Sequence, residues 1–325
     1  MAGDRRKTGA VSWRLRLLNG VLRRVSKRRL ARVTTPAQAG ADHARFSRLV
    51  LRRPPHLLRL VRRGAPDLHW ISAGPVAARP VILYFHGGAY VTGAPVDREG
   101  VLGRLSEMCG LQVAAAVYRL APEHPAPAQF EDAQAAHARL LALGYAPQDI
   151  ILGGDSAGGG LALALLADLC ARDLRPAGLF AFSPWTDLTL SGDSLRGNAL
   201  RDPFLPAERV GEARGYFLCG TPEFSCDFPE ADPRVSPLFA RFDAPPPVQL
   251  HVGSTEILLD DTRRMAAHLR AAGGKVELIE QPEAPHIWPI FDGYIPEARQ
   301  TLRETARFIA ALSGRADGVK AGNRE

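Results

Sequence analysis

Apolar residues along this chain follow two rhythms, which change over near residue 80. Upstream, Trp13, Leu15, Leu17, Leu18, Val21, Leu22 and Val25 recur at near-helical spacing, so residues 1–33 are expected to form an amphipathic helix. A second helical pattern covers 42–63. It is interrupted at Pro54-Pro55, because proline lacks the N–H donor and crowds the preceding turn. A short stretch at 68–72 reads as an early strand. Downstream, apolar runs of strand length alternate with longer helical patterns. Strands are expected at 81–85, 113–117, 150–152, 179–182, 248–252 and 276–279. Helices are expected at 98–109, 128–143, 161–171, 260–272 and 296–312. Strands apolar on both faces, each followed by a helix, point to an α/β domain with a mostly parallel sheet covered on both sides.

One segment departs from this rhythm. Residues 190–235 hold prolines, glycines and aromatics but no clear strand, and read as an insertion over the sheet. The expected organisation is therefore a basic helical cap at 1–65, an α/β core at 66–189, a cap insertion at 190–235, the rest of the core at 236–315 and a tail at 316–325.

Composition narrows the class of protein. With 325 residues, 46% of them hydrophobic, the chain can bury a core that needs neither disulfides nor metal to hold it. The four cysteines form no CxxC pair and lie in no Cys/His grouping with metal-ligand spacing. They read as reduced thiols, with a Cys219–Cys226 disulfide as the alternative. No metal or cofactor is expected. No apolar run is long enough to span a bilayer, and no apolar signal core follows the basic N-terminus, so a cytoplasmic protein is expected. Charge is unevenly divided. Residues 1–64 carry 18 Lys/Arg and 2 Asp/Glu, a net of +16 against +7 for the whole chain, which leaves the remainder at −9. The basic arm reads as a solvated helical face, and the same charge suits weak contact with an anionic membrane. No nucleic-acid partner is expected.

The chemistry centres on Gly154-Asp155-Ser156-Ala157-Gly158, which fits G-x-S-x-G between a strand and an Ala/Leu-rich helix. So tight a strand-to-helix turn strains the serine backbone, and flanking glycines remove the side chains that would clash. The hydroxyl then stands at the carboxyl edge of the sheet as a nucleophile, above a helix N-terminus that favours developing negative charge. Upstream, His86-Gly87-Gly88-Ala89-Tyr90 follows a strand and suits an oxyanion loop, with the N–H groups of Gly87, Gly88 and Ala157 as donors. His86 reads as a support for that loop. The base should lie beyond the serine on a loop at the same sheet edge. His286, in Pro282-Glu283-Ala284-Pro285-His286, meets this requirement. His251 lies inside a strand and reads as packing, whereas His268 reads as an exposed helical residue. The acid should follow the 248–252 strand. Glu256 is favoured there, and Asp260 is next.

With these residues in place, the chain resembles the hormone-sensitive-lipase-like family of microbial esterases within the α/β hydrolases. The resemblance covers about residues 80 to 312. It rests on the 86–90 loop, on Tyr118-Arg119-Leu120-Ala121-Pro122-Glu123-His124-Pro125, on Phe130-Glu131-Asp132-Ala133 and on Gly153-Gly154-Asp155-Ser156-Ala157-Gly158-Gly159. Ser183-Pro184-Trp185-Thr186-Asp187-Leu188 and the loops holding Glu256 and His286 extend it. It implies the α/β-hydrolase fold: a mostly parallel eight-stranded sheet flanked by helices, with an N-terminal helical cap. It also implies cofactor-free hydrolysis of short- to medium-chain carboxylic esters through an acyl-enzyme, and homodimers as a common state. An amidase, lactonase or formamidase on the same residues is the alternative, and a non-catalytic ligand-binding protein is a minor one. Glu256 stands where aspartate is the more familiar residue. The arginine density of the first 65 residues is unusual for a cap of this family.

Overall fold

A computed structural model describes residues 4–7, 10–223 and 226–314; the expected tail at 316–325 lies outside them. Among the described residues the strands are β1 (Arg5–Arg6), β2 (Leu57–Arg62), β3 (Leu68–Ala73), β4 (Ala77–Phe85), β5 (Leu111–Ala116), β6 (Ile150–Asp155), β7 (Gly178–Phe182), β8 (Val248–Gly253) and β9 (Val276–Gln281). They form one sheet in the order β1-β9-β8-β7-β6-β4-β5-β3-β2. Only β3 pairs antiparallel, with β2 and with β5, and every other pairing is parallel.

The helices are α1 (Trp13–Leu22), α2 (Arg28–Ala31), α3 (Pro36–Val50), α4 (Glu99–Cys109), α5 (Ala128–Ala142), α6 (Ala157–Ala171), α7 (Ser194–Gly197), α8 (Val210–Cys219), α9 (Leu259–Ala271) and α10 (Pro296–Leu312). A π-helical segment, Arg23–Lys27, joins α1 to α2. Local chemistry sets the helix starts. The Ser12 hydroxyl accepts from the Leu15 amide at the start of α1, and Thr35 caps α3 ahead of Pro36.

The sheet separates two apolar layers. Leu140 of α5, Leu161 and Leu165 of α6 and Met265 of α9 pack on one face. Leu105 of α4, Leu302 and Ile309 of α10 and Leu15 and Leu22 of α1 pack on the other. This is the doubly covered arrangement that the apolar strands require.

Two expectations need correction. The sheet has nine strands, not eight. The extra strand is β1, which lies along β9 where Arg5 meets Glu277 and Arg6 meets Glu280. The helix expected over 42–63 ends at Val50, and 57–62 is a strand. Once Pro54-Pro55 stops the helix, the β-branched and leucine-rich stretch pairs residue for residue with β3. The cysteine reading also changes: Cys219 and Cys226 are joined in a disulfide, while Cys109 and Cys170 are free. No helix among the described residues is long and apolar enough to cross a membrane.

Candidate active site

Ser156 stands at the turn between β6 and α6, with φ +53° and ψ −124°. This is a strained conformation for a residue with a side chain, and it persists because the surroundings leave no alternative. A Cβ on Gly158 would come within 2.1 Å of the Phe85 carbonyl oxygen, so helix and strand can approach only with glycine there. The Ser156 carbonyl accepts from the amides of Gly160 and Trp185, which fixes the turn from both sides.

His286 lies on the loop after β9 and Glu256 on the loop after β8. The structure brings both to Ser156. His286 Nε2 is 2.9 Å from Ser156 Oγ, and His286 Nδ1 is 2.7 Å from Glu256 Oε2. All three residues stand at the carboxyl ends of parallel strands, where the loops converge. Glu256 is fully buried, and its other oxygen, Oε1, accepts from the Gly253 amide at 2.5 Å and the Ser183 hydroxyl at 2.8 Å. Burial raises its carboxyl group above the ordinary value, and the His286 hydrogen bond opposes that rise.

Asp260 is turned elsewhere. Its Oδ2 accepts from the Ser194 amide at 2.7 Å. His251 is buried against Gln249 and Thr305, as the packing reading requires, and burial pushes it down to about 3. His268 is not exposed as expected: it is half-buried and donates to the Ala240 carbonyl at 2.6 Å.

The 86–90 loop runs beside Ser156. Among the described residues the amides of Gly87, Gly88 and Ala157 donate to no protein acceptor. At Gly88 φ is +133°, and a Cβ there would come within 2.0 Å of the Thr92 carbonyl oxygen. The imidazole of His86 stacks on Tyr118 with ring centroids 4.3 Å apart, and the Tyr118 hydroxyl donates to the His86 carbonyl at 2.6 Å. His86 thus holds the loop and makes no hydrogen bond to Ser156.

Several contacts around the site escaped the sequence reading. Asp155, just before Ser156, is buried with Arg98, whose Nε and Nη2 each lie 3.0 Å from Asp155 Oδ2. The Tyr84 hydroxyl donates to Asp155 Oδ1 at 2.8 Å. Burial alone would raise the Asp155 carboxyl, but the Arg98 charge and these hydrogen bonds hold it below its ordinary value. Arg98 also reaches out to α3, where its Nη1 is 3.0 Å from His43 Nε2. His43 Nδ1 is 3.0 Å from Thr92 Oγ1, which in turn donates to the Gly88 carbonyl at 3.2 Å. Burial and the Arg98 charge push His43 down to about 3, so its ring is neutral near pH 7. A neutral ring protonated at Nδ1 satisfies both neighbours. The basic arm is therefore wired to the glycine loop and, through Arg98, to the residue beside Ser156. These partners lie 55 and 57 positions apart in sequence, and no local pattern marks them. Asp155 and Ser183 do lie in motifs, Gly153–Gly159 and Ser183–Leu188, but neither motif marks the contact its side chain makes.

The buried Arg98–Asp155 pair carries a stability prediction. Arg98→Met leaves a carboxylate buried without its counter-charge, and should cost about 3–5 kcal/mol in urea unfolding at neutral pH. The pH dependence follows from the depressed Asp155 value. The stabilisation it confers is present above the unfolded carboxyl value of about 3.9 and is lost as pH falls through the folded value. The gap between wild type and variant should therefore narrow in acid; a gap unchanged below pH 4 would refute this account.

Above Ser156 lies a cavity of about 490 Å³. Leu30, Val33 and Phe46 line it from the arm, and Phe204, Val210 and Tyr216 from the 190–235 segment. Gly88, Ser156 and His286 form part of its floor. Among the described residues no cluster of three or more His, Cys, Asp or Glu is placed to hold a metal ion.

Comparison with known proteins agrees with this fold. Residues 82–290 match the family model described as the alpha/beta hydrolase fold. The chain is 37% identical to an esterase of Acinetobacter venetianus over 237 residues, which is 73% of this chain and 76% of that protein. It is 35% identical to an acetyl-hydrolase of Streptomyces hygroscopicus, over 80% of this chain and 84% of that protein. Among solved structures, an esterase from the bacterial hormone-sensitive lipase family superposes with a TM-score of 0.85 at 32% identity, over 95% of this chain and 100% of that one. The chain belongs to the α/β-hydrolase family, in its bacterial hormone-sensitive-lipase branch.

Proposed function

We propose that the protein is a carboxylesterase that hydrolyses short- to medium-chain acyl esters, with Ser156, His286 and Glu256 as its catalytic triad. The observation that carries this reading is the continuous relay from Ser156 Oγ through His286 to Glu256, set beside three amides with no protein acceptor. His286 takes the Ser156 proton as Oγ attacks the ester carbonyl. The carbonyl oxygen becomes negative in the transition state and is held by the amides of Gly87, Gly88 and Ala157. His286 then protonates the leaving alcohol. A water molecule, deprotonated by the same ring, releases the acid from Ser156 and restores the enzyme. Glu256 keeps the proton of the resting imidazole on Nδ1 and stabilises the ring when it is charged. Residues 1–65 and 190–235 act as the cap, and the side chains of theirs that line the cavity shape the acyl site.

Acyl-length preference follows from the cavity. Its walls are mostly apolar, and its volume suits a small organic ligand. Each methylene placed in such a pocket is worth about 1–3 kcal/mol, or roughly 10- to 200-fold in kcat/KM. Across p-nitrophenyl acetate, butyrate, octanoate and palmitate, kcat/KM should therefore rise at least about tenfold from acetate to its maximum at butyrate or octanoate, and fall at palmitate. An anilide and a lactone of matched acyl length should react more slowly. A faster anilide or lactone would replace the ester assignment, and a maximum at palmitate would overturn the chain-length reading.

A further inference from the structure

Helix α1 has two apolar faces, and the core uses only one of them. Leu15 and Leu22 are buried beneath it. On the outer side Trp13, Leu17, Val21 and Val25 follow one another at four-residue steps through α1 and into the π-helical segment, and they are 69%, 60%, 49% and 59% exposed. Single exposed apolar residues are common, but a continuous stripe marks a contact surface. The stripe is set among exposed arginines: Arg14, Arg16, Arg24, Arg28 and Arg32. Arg16, Arg24, Arg28 and Arg32 make no ion pair with a carboxylate among the described residues. No Asp or Glu occurs between Asp4 and Asp42, so nothing within this stretch neutralises them. The stripe also has a direction. Val25 lies at its far end and lines the cavity above Ser156, as does Leu49 of α3, which is 68% exposed.

Charge selects the occupant. A second copy of this helix would bring a like-charged face against it, whereas an anionic lipid surface complements the arginines and takes up the apolar stripe. We propose that the outer face of α1 docks on an anionic lipid surface, which places the mouth of the cavity against the lipid. That the cavity then draws an ester from this surface rests on the carboxylesterase reading; the docking itself does not.

The test is flotation of the full chain with vesicles of phosphatidylcholine alone or mixed with equal parts of phosphatidylglycerol. The Leu17→Ser/Val21→Ser variant and an Arg16→Gln/Arg24→Gln/Arg28→Gln variant are floated alongside. Wild type should bind the mixed vesicles at least about tenfold better than the neutral ones, and high salt should abolish that difference. Each variant should lose roughly tenfold or more in vesicle affinity. Both should keep wild-type turnover of dissolved p-nitrophenyl butyrate, which shows that they fold. Ser156→Ala should float like wild type, so failure of docking and failure of the esterase assignment are separate results. Absence of wild-type binding at low salt, or binding unchanged in the Leu17→Ser/Val21→Ser variant, would overturn the proposal. So would a concentration-dependent dimer in sedimentation that this variant abolishes without any vesicle binding, because it would assign the stripe to a second copy.

Discussion

Ser156→Ala is expected to lower kcat for p-nitrophenyl butyrate by roughly 10⁵-fold or more, while far-UV circular dichroism and the unfolding midpoint stay close to wild type. The loss is large because no other group can form the acyl-enzyme. The oxygen that attacks is the one His286 holds at 2.9 Å, and alanine removes it without touching either partner. The fold should tolerate the change. The turn is fixed by backbone contacts: the Ser156 amide donates to the Phe182 carbonyl, and its carbonyl accepts from Gly160 and Trp185. The strained φ of +53° is no worse for alanine than for serine. Residual hydrolysis should reflect only the amides of the glycine loop and substrate positioning. Labelling by a fluorophosphonate should disappear together with activity. Retention of more than about a hundredth of the wild-type rate would remove Ser156 from its assigned role.

What could be read from the sequence follows from how far apart the interacting parts lie. Ser156 was legible because strand, turn and helix are contiguous and only glycine fits around it. His286 was legible because the carboxyl edge of a parallel sheet admits only loops that follow strands, which left one histidine of three. Glu256 was favoured over Asp260 by the same rule, and the structure places Glu256 against His286 and Asp260 against Ser194. The edges of the sheet were less legible. Two residues, Arg5 and Arg6, carry no periodicity, and their strand exists only because β9 offers an open edge and two glutamates. In β2, apolar residues occur on both sides of the pleat, and Leu58 and Leu60 are exposed, so the alternation that marks a strand is blurred. The contacts through Arg98 and His43 were invisible for a different reason. They join segments far apart in sequence, the His43 contact forms only once the arm has folded over the sheet, and a buried arginine has no local signature.

Glu256→Gln is the second variant expected to have a large effect, roughly 10³- to 10⁴-fold in kcat near neutral pH. The reason is a forced tautomer. Glu256 Oε1 accepts from the Gly253 amide and from the Ser183 hydroxyl. The Gly253 amide can only donate, so the atom at the Oε1 position must be an acceptor. In the glutamine variant the amide oxygen must therefore occupy the Oε1 position, and the NH2 group must face His286 Nδ1. A donor at that place requires a lone pair on Nδ1, so the ring proton moves to Nε2. Nε2 can then donate to Ser156 Oγ but cannot accept its proton, and the nucleophile is no longer activated. Volume and packing barely change, so the unfolding midpoint should shift little compared with the loss of rate. Glu256→Asp separates charge from reach. It keeps the carboxylate but draws it back by about 1.5 Å, one carbon–carbon bond. It should retain more activity than the isosteric glutamine, which a purely steric role for the side chain would not produce. Asp260→Asn, at the position turned toward Ser194, should stay within about tenfold of wild type. Activity of Glu256→Gln within tenfold of wild type, with Asp260→Asn the more damaged of the two, would move the acid from Glu256 to Asp260.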